Sequence, residues 1–239
     1  KKVDILQTKH GKHQQLMKFQ IVLLCLFFLV ELNATPFYFK SYDMEDGLSN
    51  NHVTCCVQDD YGFMWFGTRD GLNRFDSKKF YTFKSYSSEK GSLMSSYILD
   101  LAKSPTGQIW VSTNLGLHKY DYQTDSFTLI DFTKGINCYS LQFDQQGNLW
   151  MILNGYSLVK YNESQGMHLN YMYKGSDPIT SFYITPQDQI WATTANGNVV
   201  FLDDDKNEFI ALDIKNLDKN LLIDDMTAIW ASPLDNILL

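Results

Sequence analysis

The 239 residues could build one large all-β domain or two ordinary ones, and 44% hydrophobic with 20% charged residues is the balance of a packed soluble chain. Aromatic residues reach 15% against only five prolines, which leans towards strands joined by tight turns. Once residues 1–34 are set aside as a leader, 15 basic side chains stand against 25 acidic ones, a formal charge of −10 that argues against nucleic acid and anionic lipid as partners.

The leader comes first in the chain. Residues 1–16 precede Met17, the expected true start. Met17-Lys18 leads into an apolar run from Ile21 to Val30, then Glu31 and Asn33-Ala34, which describes a secretory signal cut after Ala34. Ten apolar residues are too few for a bilayer span, which needs about 20 in helical form. Residues 35–239 are therefore expected outside the cytoplasm. Three cysteines remain there: Cys55, Cys56 and Cys138. Neighbouring strand residues point to opposite faces, so bridging Cys55 to Cys56 would strain the backbone. Buried free thiols are the expectation for all three.

Internal repetition dominates residues 35–239. Four segments align: Asp59-Asp60-Tyr61-Gly62-Phe63-Met64-Trp65, Ser104-Pro105-Thr106-Gly107-Gln108-Ile109-Trp110, Asp144-Gln145-Gln146-Gly147-Asn148-Leu149-Trp150 and Thr185-Pro186-Gln187-Asp188-Gln189-Ile190-Trp191. Each is a polar turn, an apolar residue and a Trp. A fifth copy begins at Ser232, with Leu238 in the Trp slot. Gly71, Gly116 and Gly197 follow their Trp by six residues, and Gly155 arrives one residue early. Phe75, Tyr120, Tyr161 and Phe201 come next, and Asp76, Asp121, Asn162 and Asp203 close the element. Short alternating runs flank it on both sides, such as 97–101, 140–143, 79–83 and 208–212. The period thus holds four short strands in a meander, with Trp on the second and no helical periodicity. Four antiparallel strands every 40 to 47 residues predict an all-β β-propeller, with about four blades and the start of a fifth. The Trp rings are expected between blades, as core. Residues 37–42 read as an outer strand lacking its own blade. An incomplete propeller leaves an open edge, so the chain reads as a fragment of a longer protein.

Gly47-Leu48-Ser49-Asn50-Asn51-His52-Val53, followed by Gln58 to Asp76 with Trp65-Phe66-Gly67-Thr68-Arg69-Asp70-Gly71-Leu72 at its centre, resembles the two-component regulator propeller repeat. Ile109-Trp110-Val111-Ser112-Thr113-Asn114-Leu115-Gly116-Leu117 is similar to it, and blades three and four match more loosely. The resemblance implies a periplasmic glycan sensor of a hybrid two-component system. Its relatives are anchored in the inner membrane by a downstream helix and carry histidine kinase, receiver and DNA-binding domains, and the full-length sensor is a candidate homodimer. None of those later parts lies in this sequence, so the region is expected to bind and not to catalyse.

Connectivity locates a binding face. In such a meander the second-to-third turns and the connections between blades emerge at one end, and the remaining turns at the other. The first end carries Asn51, His52, Arg69 and Asp70 from blade one, and Tyr97 and Asn114 from blade two. Asn137, Tyr139, Asn154 and Tyr156 come from blade three, and Asn196 from blade four. Tyr faces cover the apolar faces of sugar rings, while Asn, Asp and Arg satisfy hydroxyls, so an oligosaccharide is the expected ligand. Asn and Asp also suit tight turns on their own account; Arg69 and Tyr156 are less demanded there.

Catalytic and metal signals are weak. His52, His118 and His168 occupy different repeat positions without metal-ligand spacing. His118 and His168 are expected in exposed strands or loops. Asp203-Asp204-Asp205 falls at a predicted turn and lacks the alternation of a calcium loop. No cofactor or metal is predicted. A polysaccharide-cleaving propeller, using Asp70 and His52, and a protein-binding propeller are the alternative functions, since propellers host both.

Overall fold

The computed structural model describes residues 38–86, 89–203 and 205–212, together with the pairs 230–231 and 237–238. The expected signal sequence lies outside the described residues. Sixteen strands form four four-stranded antiparallel sheets, each a meander in chain order. Blade one holds β1 (Val53–Gln58), β2 (Met64–Thr68), β3 (Gly71–Phe75) and β4 (Phe80–Phe83). Blade two holds β5 (Ile98–Lys103), β6 (Ile109–Thr113), β7 (Gly116–Asp121) and β8 (Ser126–Leu129). Blade three holds β9 (Cys138–Phe143), β10 (Leu149–Leu153), β11 (Ser157–Asn162) and β12 (Met167–Met172). Blade four holds β13 (Ile179–Ile184), β14 (Ile190–Thr194), β15 (Val199–Asp203) and β16 (Glu208–Leu212). The expected fifth copy starts as an antiparallel pair, β17 (Trp230–Ala231) with β18 (Ile237–Leu238).

Local chemistry explains each hairpin. The first turn of a blade needs left-handed backbone at one position, which Gly62, Gly107 and Gly147 supply with φ of 87°, 83° and 79°. In blade four Asp188 takes that conformation instead, φ 61°. The last turn is closed by one repeat position: Asp76, Asp121, Asn162 and Asp203 each accept a backbone N–H two or three residues ahead. The repeat's acidic closing residues are thus turn makers.

The second strand is the most buried of its blade in blades two, three and four, because neighbouring blades cover both of its faces; all five residues of β6 and of β10 are buried. The outer strands are wetter, and β12 exposes five of its six residues. Three clusters make the core, and each spans two blades. Trp65 packs with Ile98, Leu101, Val111 and Tyr120; Trp110 with Leu141, Leu149 and Met151; Trp150 with Ile179, Phe182 and Ile190. The first three Trp are at most 4% exposed, whereas Trp191 is half-buried. Between blades one and two the Arg74 guanidinium lies about 5.3–5.6 Å from the rings of Phe63, Trp65, Tyr81 and Phe83 and bonds Tyr120 and Asp125.

The first strands lie innermost and stitch the blades together. Each carries an irregularity in its pairing with the second strand, at Thr54, Leu99, Ser140–Leu141 and Thr180. Thr54 Oγ1 donates to the Ile98 carbonyl at 2.9 Å, the Leu141 N–H to Asp100 Oδ2 at 2.7 Å, and Gln142 Nε2 to the Phe182 carbonyl at 2.6 Å. Each bond crosses from one blade to the next.

Three expectations are corrected. Residues 38–42 form no strand; Tyr38 and Phe39 are over 90% exposed, and the chain turns through a 3-10 helix at Met44–Asp46 before β1. Among the described residues no strand pairs with them to supply hydrogen bonds, and an alternating pattern alone does not make a strand. His118 is fully buried rather than exposed, because β7 is the third strand of its blade and points that position inward. His168 does lie exposed on β12, stacked on Phe132 at 4.0 Å. The thiols are not all buried: Cys56 is exposed and Cys55 half-buried, while Cys138 is buried, and all three are free. Among the described residues no helix is long and apolar enough to cross a membrane.

Candidate functional site

The second-to-third turns and the connections between blades do emerge at one end. That end is formed by residues 69–70, 114–115, 154–156 and 195–198 from the turns, with 47–52, 84–86, 89–97, 130–137 and 173–178 from the connections. Every singled-out residue lies there, on a loop or at the first residues of an inner strand.

Several of them hold the loops in place. Asn154, with φ of 50°, donates its N–H to the Asn137 carbonyl at 3.0 Å, and its Oδ1 accepts the Asn137 N–H at 3.2 Å. Asn51 Oδ1 accepts the Met44 N–H, and Asp70 Oδ2 pairs with Lys84 Nζ at 2.7 Å. Tyr139 donates its hydroxyl to the Ile179 carbonyl at 3.0 Å, and burial, with the nearby Tyr156, pushes its pKa up. The Asn196 N–H donates to Asp177 Oδ2 at 3.2 Å. Burial pushes Asp177 up, but donors from Thr194, Asn196 and Asn198 outweigh it and its pKa is lowered. The Tyr97 N–H bonds Ser95 Oγ at 3.0 Å.

The others present side chains outward. Arg69, His52 and Tyr156 are exposed, Tyr156 at 41%, and the Arg69 N–H donates to the His52 carbonyl at 3.3 Å, setting those two residues side by side. Asn114 is half-buried, and its Oδ1 is a buried acceptor without a protein partner. Leu115 beside it is 38% exposed. The end therefore offers a cation, an imidazole, an aromatic face and an unused amide oxygen on a bonded framework, which suits a polar ligand with hydroxyls. Among the described residues no group of three or more His, Cys, Asp or Glu side chains could hold a metal ion.

Two features at the opposite end escaped the sequence. Asp59 and Asp144 are buried, and each carboxylate gathers the turn amides and the blade's own indole N–H. Their place three residues before Gly and six before Trp was visible, but the shared job was not. Between blades two and three a cleft of about 340 Å³ opens, lined by first-turn and last-turn residues including Ser104, Gln145 and Asn162.

Residues 47–70, which run from the first loop through β1 and β2 to the turn bearing Arg69 and Asp70, match the family model of the two component regulator propeller. That stretch is similar to the two component regulator propeller repeat. Over 67 residues, 27% of this chain, the sequence is 46% identical to histidine kinase P4 of Formosa agariphila, of which that stretch covers 5%. The extracellular domain of a hybrid two component system from B. thetaiotaomicron superposes with a TM-score of 0.72, at 23% identity over 84% of this chain and 29% of that one. A second such domain from the same organism gives 0.64, at 23% identity over 78% and 25%. Virginiamycin B lyase from Staphylococcus aureus gives 0.60, at 11% identity over 78% and 62%. At these identities the likeness establishes the propeller fold, and the chain spans about a quarter to a third of the two-component domains.

Proposed function

We propose that this chain is the N-terminal part of a periplasmic sensor in a hybrid two-component signalling protein, a propeller that binds an oligosaccharide without turning it over. The observation that carries the reading is the match to the two component regulator propeller model of residues 47–70, whose last two residues, Arg69 and Asp70, sit on the loop-bearing end. The similarity to extracellular domains of hybrid two component systems supports the same side of the membrane. Export by the leader, an inner-membrane anchor further along the full-length protein and a homodimeric sensor complete the proposal.

Arg69 and Tyr156 are the contacts with the most to offer. A guanidinium presents several donors in a fixed plane, and a phenol ring covers the apolar face of a sugar. The test is calorimetric titration of the whole extracytoplasmic region with a panel of oligosaccharides, alongside Arg69→Ala and Tyr156→Ala. One saccharide class should bind, with affinity falling about ten-fold in each variant, the size of one lost contact of about 1.4 kcal/mol. Cleavage of the saccharide would replace this reading with an enzyme, and absence of binding across the panel would replace it with a protein partner.

A further inference from the structure

In blades one and three the residue that opens the first turn also serves the indole N–H. In blade four, where Thr185 stands there, the Trp191 indole donates instead to Gln189 Oε1 at 3.3 Å. The corresponding Gln108 of blade two turns its amide N–H groups to the Ile109 and Tyr120 carbonyls. In blade one the Trp65 indole N–H donates to Asp59 Oδ2 at 2.8 Å, while Asp59 Oδ1 accepts the N–H groups of Tyr61 and Phe63. In blade three Trp150 donates to Asp144 Oδ2 at 3.0 Å, and Oδ1 takes the Asn148 N–H. Blade two has Ser104 at this position. Its single oxygen accepts the Gln108 N–H at 3.0 Å and bonds Thr106 Oγ1 at 2.8 Å, which leaves the indole unserved. The Nε1 of Trp110, a residue 1% exposed, has no protein partner. A buried donor left without an acceptor costs about 1–3 kcal/mol, so this N–H favours any acceptor that can reach it.

A cation accompanies the rings of Trp150 and Trp110 alike. Lys160 lies 5.2 Å from the Trp150 ring centre and pairs with Asp144 at 3.2 Å; Lys119 lies 5.9 Å from that of Trp110 and pairs with the half-exposed Glu163. Ser104, Trp110 and Glu163 all line the 340 Å³ cleft, with Thr106, Asn162 and Ser164 adding hydroxyl and amide groups. We propose that this cleft binds a small hydroxyl-bearing carboxylate, which takes the Trp110 indole hydrogen and the Lys119 ammonium as Asp144 takes those of Trp150 and Lys160. The hydroxyls of such a molecule meet Thr106, Asn162 and Ser164. The site lies at the end opposite Arg69 and Tyr156 and does not depend on the oligosaccharide binding proposed there.

The experiment tracks the indole N–H resonances of the full-length ¹⁵N-labelled chain, with Trp110 assigned through Trp110→Phe, during titration with D-glucuronate and, separately, D-glucose. Glucuronate should move the Trp110 signal and glucose should not. Ser104→Asp, which places a carboxylate where Asp59 and Asp144 have theirs, should move that signal without ligand and weaken glucuronate about ten-fold or more. Lys119→Met should weaken it comparably while leaving the turn untouched. A Trp110 signal that ignores glucuronate, or that responds equally to glucose, overturns the proposal.

Discussion

The indole N–H of Trp65 donates to Asp59 Oδ2 at 2.8 Å, joining the first turn of a blade to the ring that fills the space before the next one. Tyr122 of blade two reaches the same oxygen at 3.2 Å. One carboxylate therefore holds a turn, a core ring and a neighbouring blade.

Asp59→Ala removes the acceptor for four donors, one of them a fully buried indole. The expected loss is about 2–4 kcal/mol, above that of a typical neutral hydrogen bond because the acceptor is a carboxylate. Asp144→Ala should cost a similar amount and also strand Lys160. Urea unfolding of the full chain checks both. A change below about 1 kcal/mol in both variants would mean that the turns hold by backbone geometry alone.

His118 makes stability depend on pH. Its Nε2 accepts the Met94 N–H at 3.1 Å, and burial holds its pKa down at about 4, against 6.5 in an open chain. The unfolded chain then binds the extra proton first, so this contribution is complete above pH 6.5 and is lost as pH falls towards 4. The full loss is about 3 kcal/mol, at about 1.36 kcal/mol for each unit of pKa. Asp100, pushed up by its own burial, slopes the other way over the acid end. The stability of wild type relative to His118→Gln is thus the quantity to measure, and it should fall by about 3 kcal/mol as pH drops from 6.5 towards 4.

Gly67 is required for closeness rather than for a turn. A methyl built there falls 2.4 Å from Cys55 Sγ and 2.7 Å from Ile98 Cγ2, where blade one meets the inner strand of blade two. Gly67→Ala should cost about 2–3 kcal/mol. Adding Cys55→Ala opens one side of the clash, and the double variant should recover about 1 kcal/mol relative to additivity. Additive losses would show that Ile98 alone sets the limit.

Thiol labelling separates Cys55, Cys56 and Cys138. Cys56 is exposed, whereas burial pushes Cys55 and Cys138 up to about 12, far from the thiolate form. Iodoacetamide treatment and then peptide mass spectrometry should find Cys56 modified first, and the other two only after denaturant is added.

Blade number, strand order and the position of the Trp rings were all legible in the sequence. The reason is that each blade repeats one local pattern, and turn chemistry at Gly62, Asp76 and their counterparts is decided within a few residues. The loop-bearing end was legible too, because a meander leaves no choice of which turns share an end. What the tertiary structure alone decided is the work of individual polar groups. Nothing local distinguishes Asn154, spent on the Asn137 backbone, from Asn114, whose amide oxygen has no protein partner. Likewise His118 and His168 both sit on strands, yet one is sealed between blades and the other faces solvent. Burial and hydrogen bonding at such positions depend on residues about 20 to 60 positions away, brought close only when one blade packs on the next, as when Tyr122 meets Asp59 or Leu141 meets Asp100.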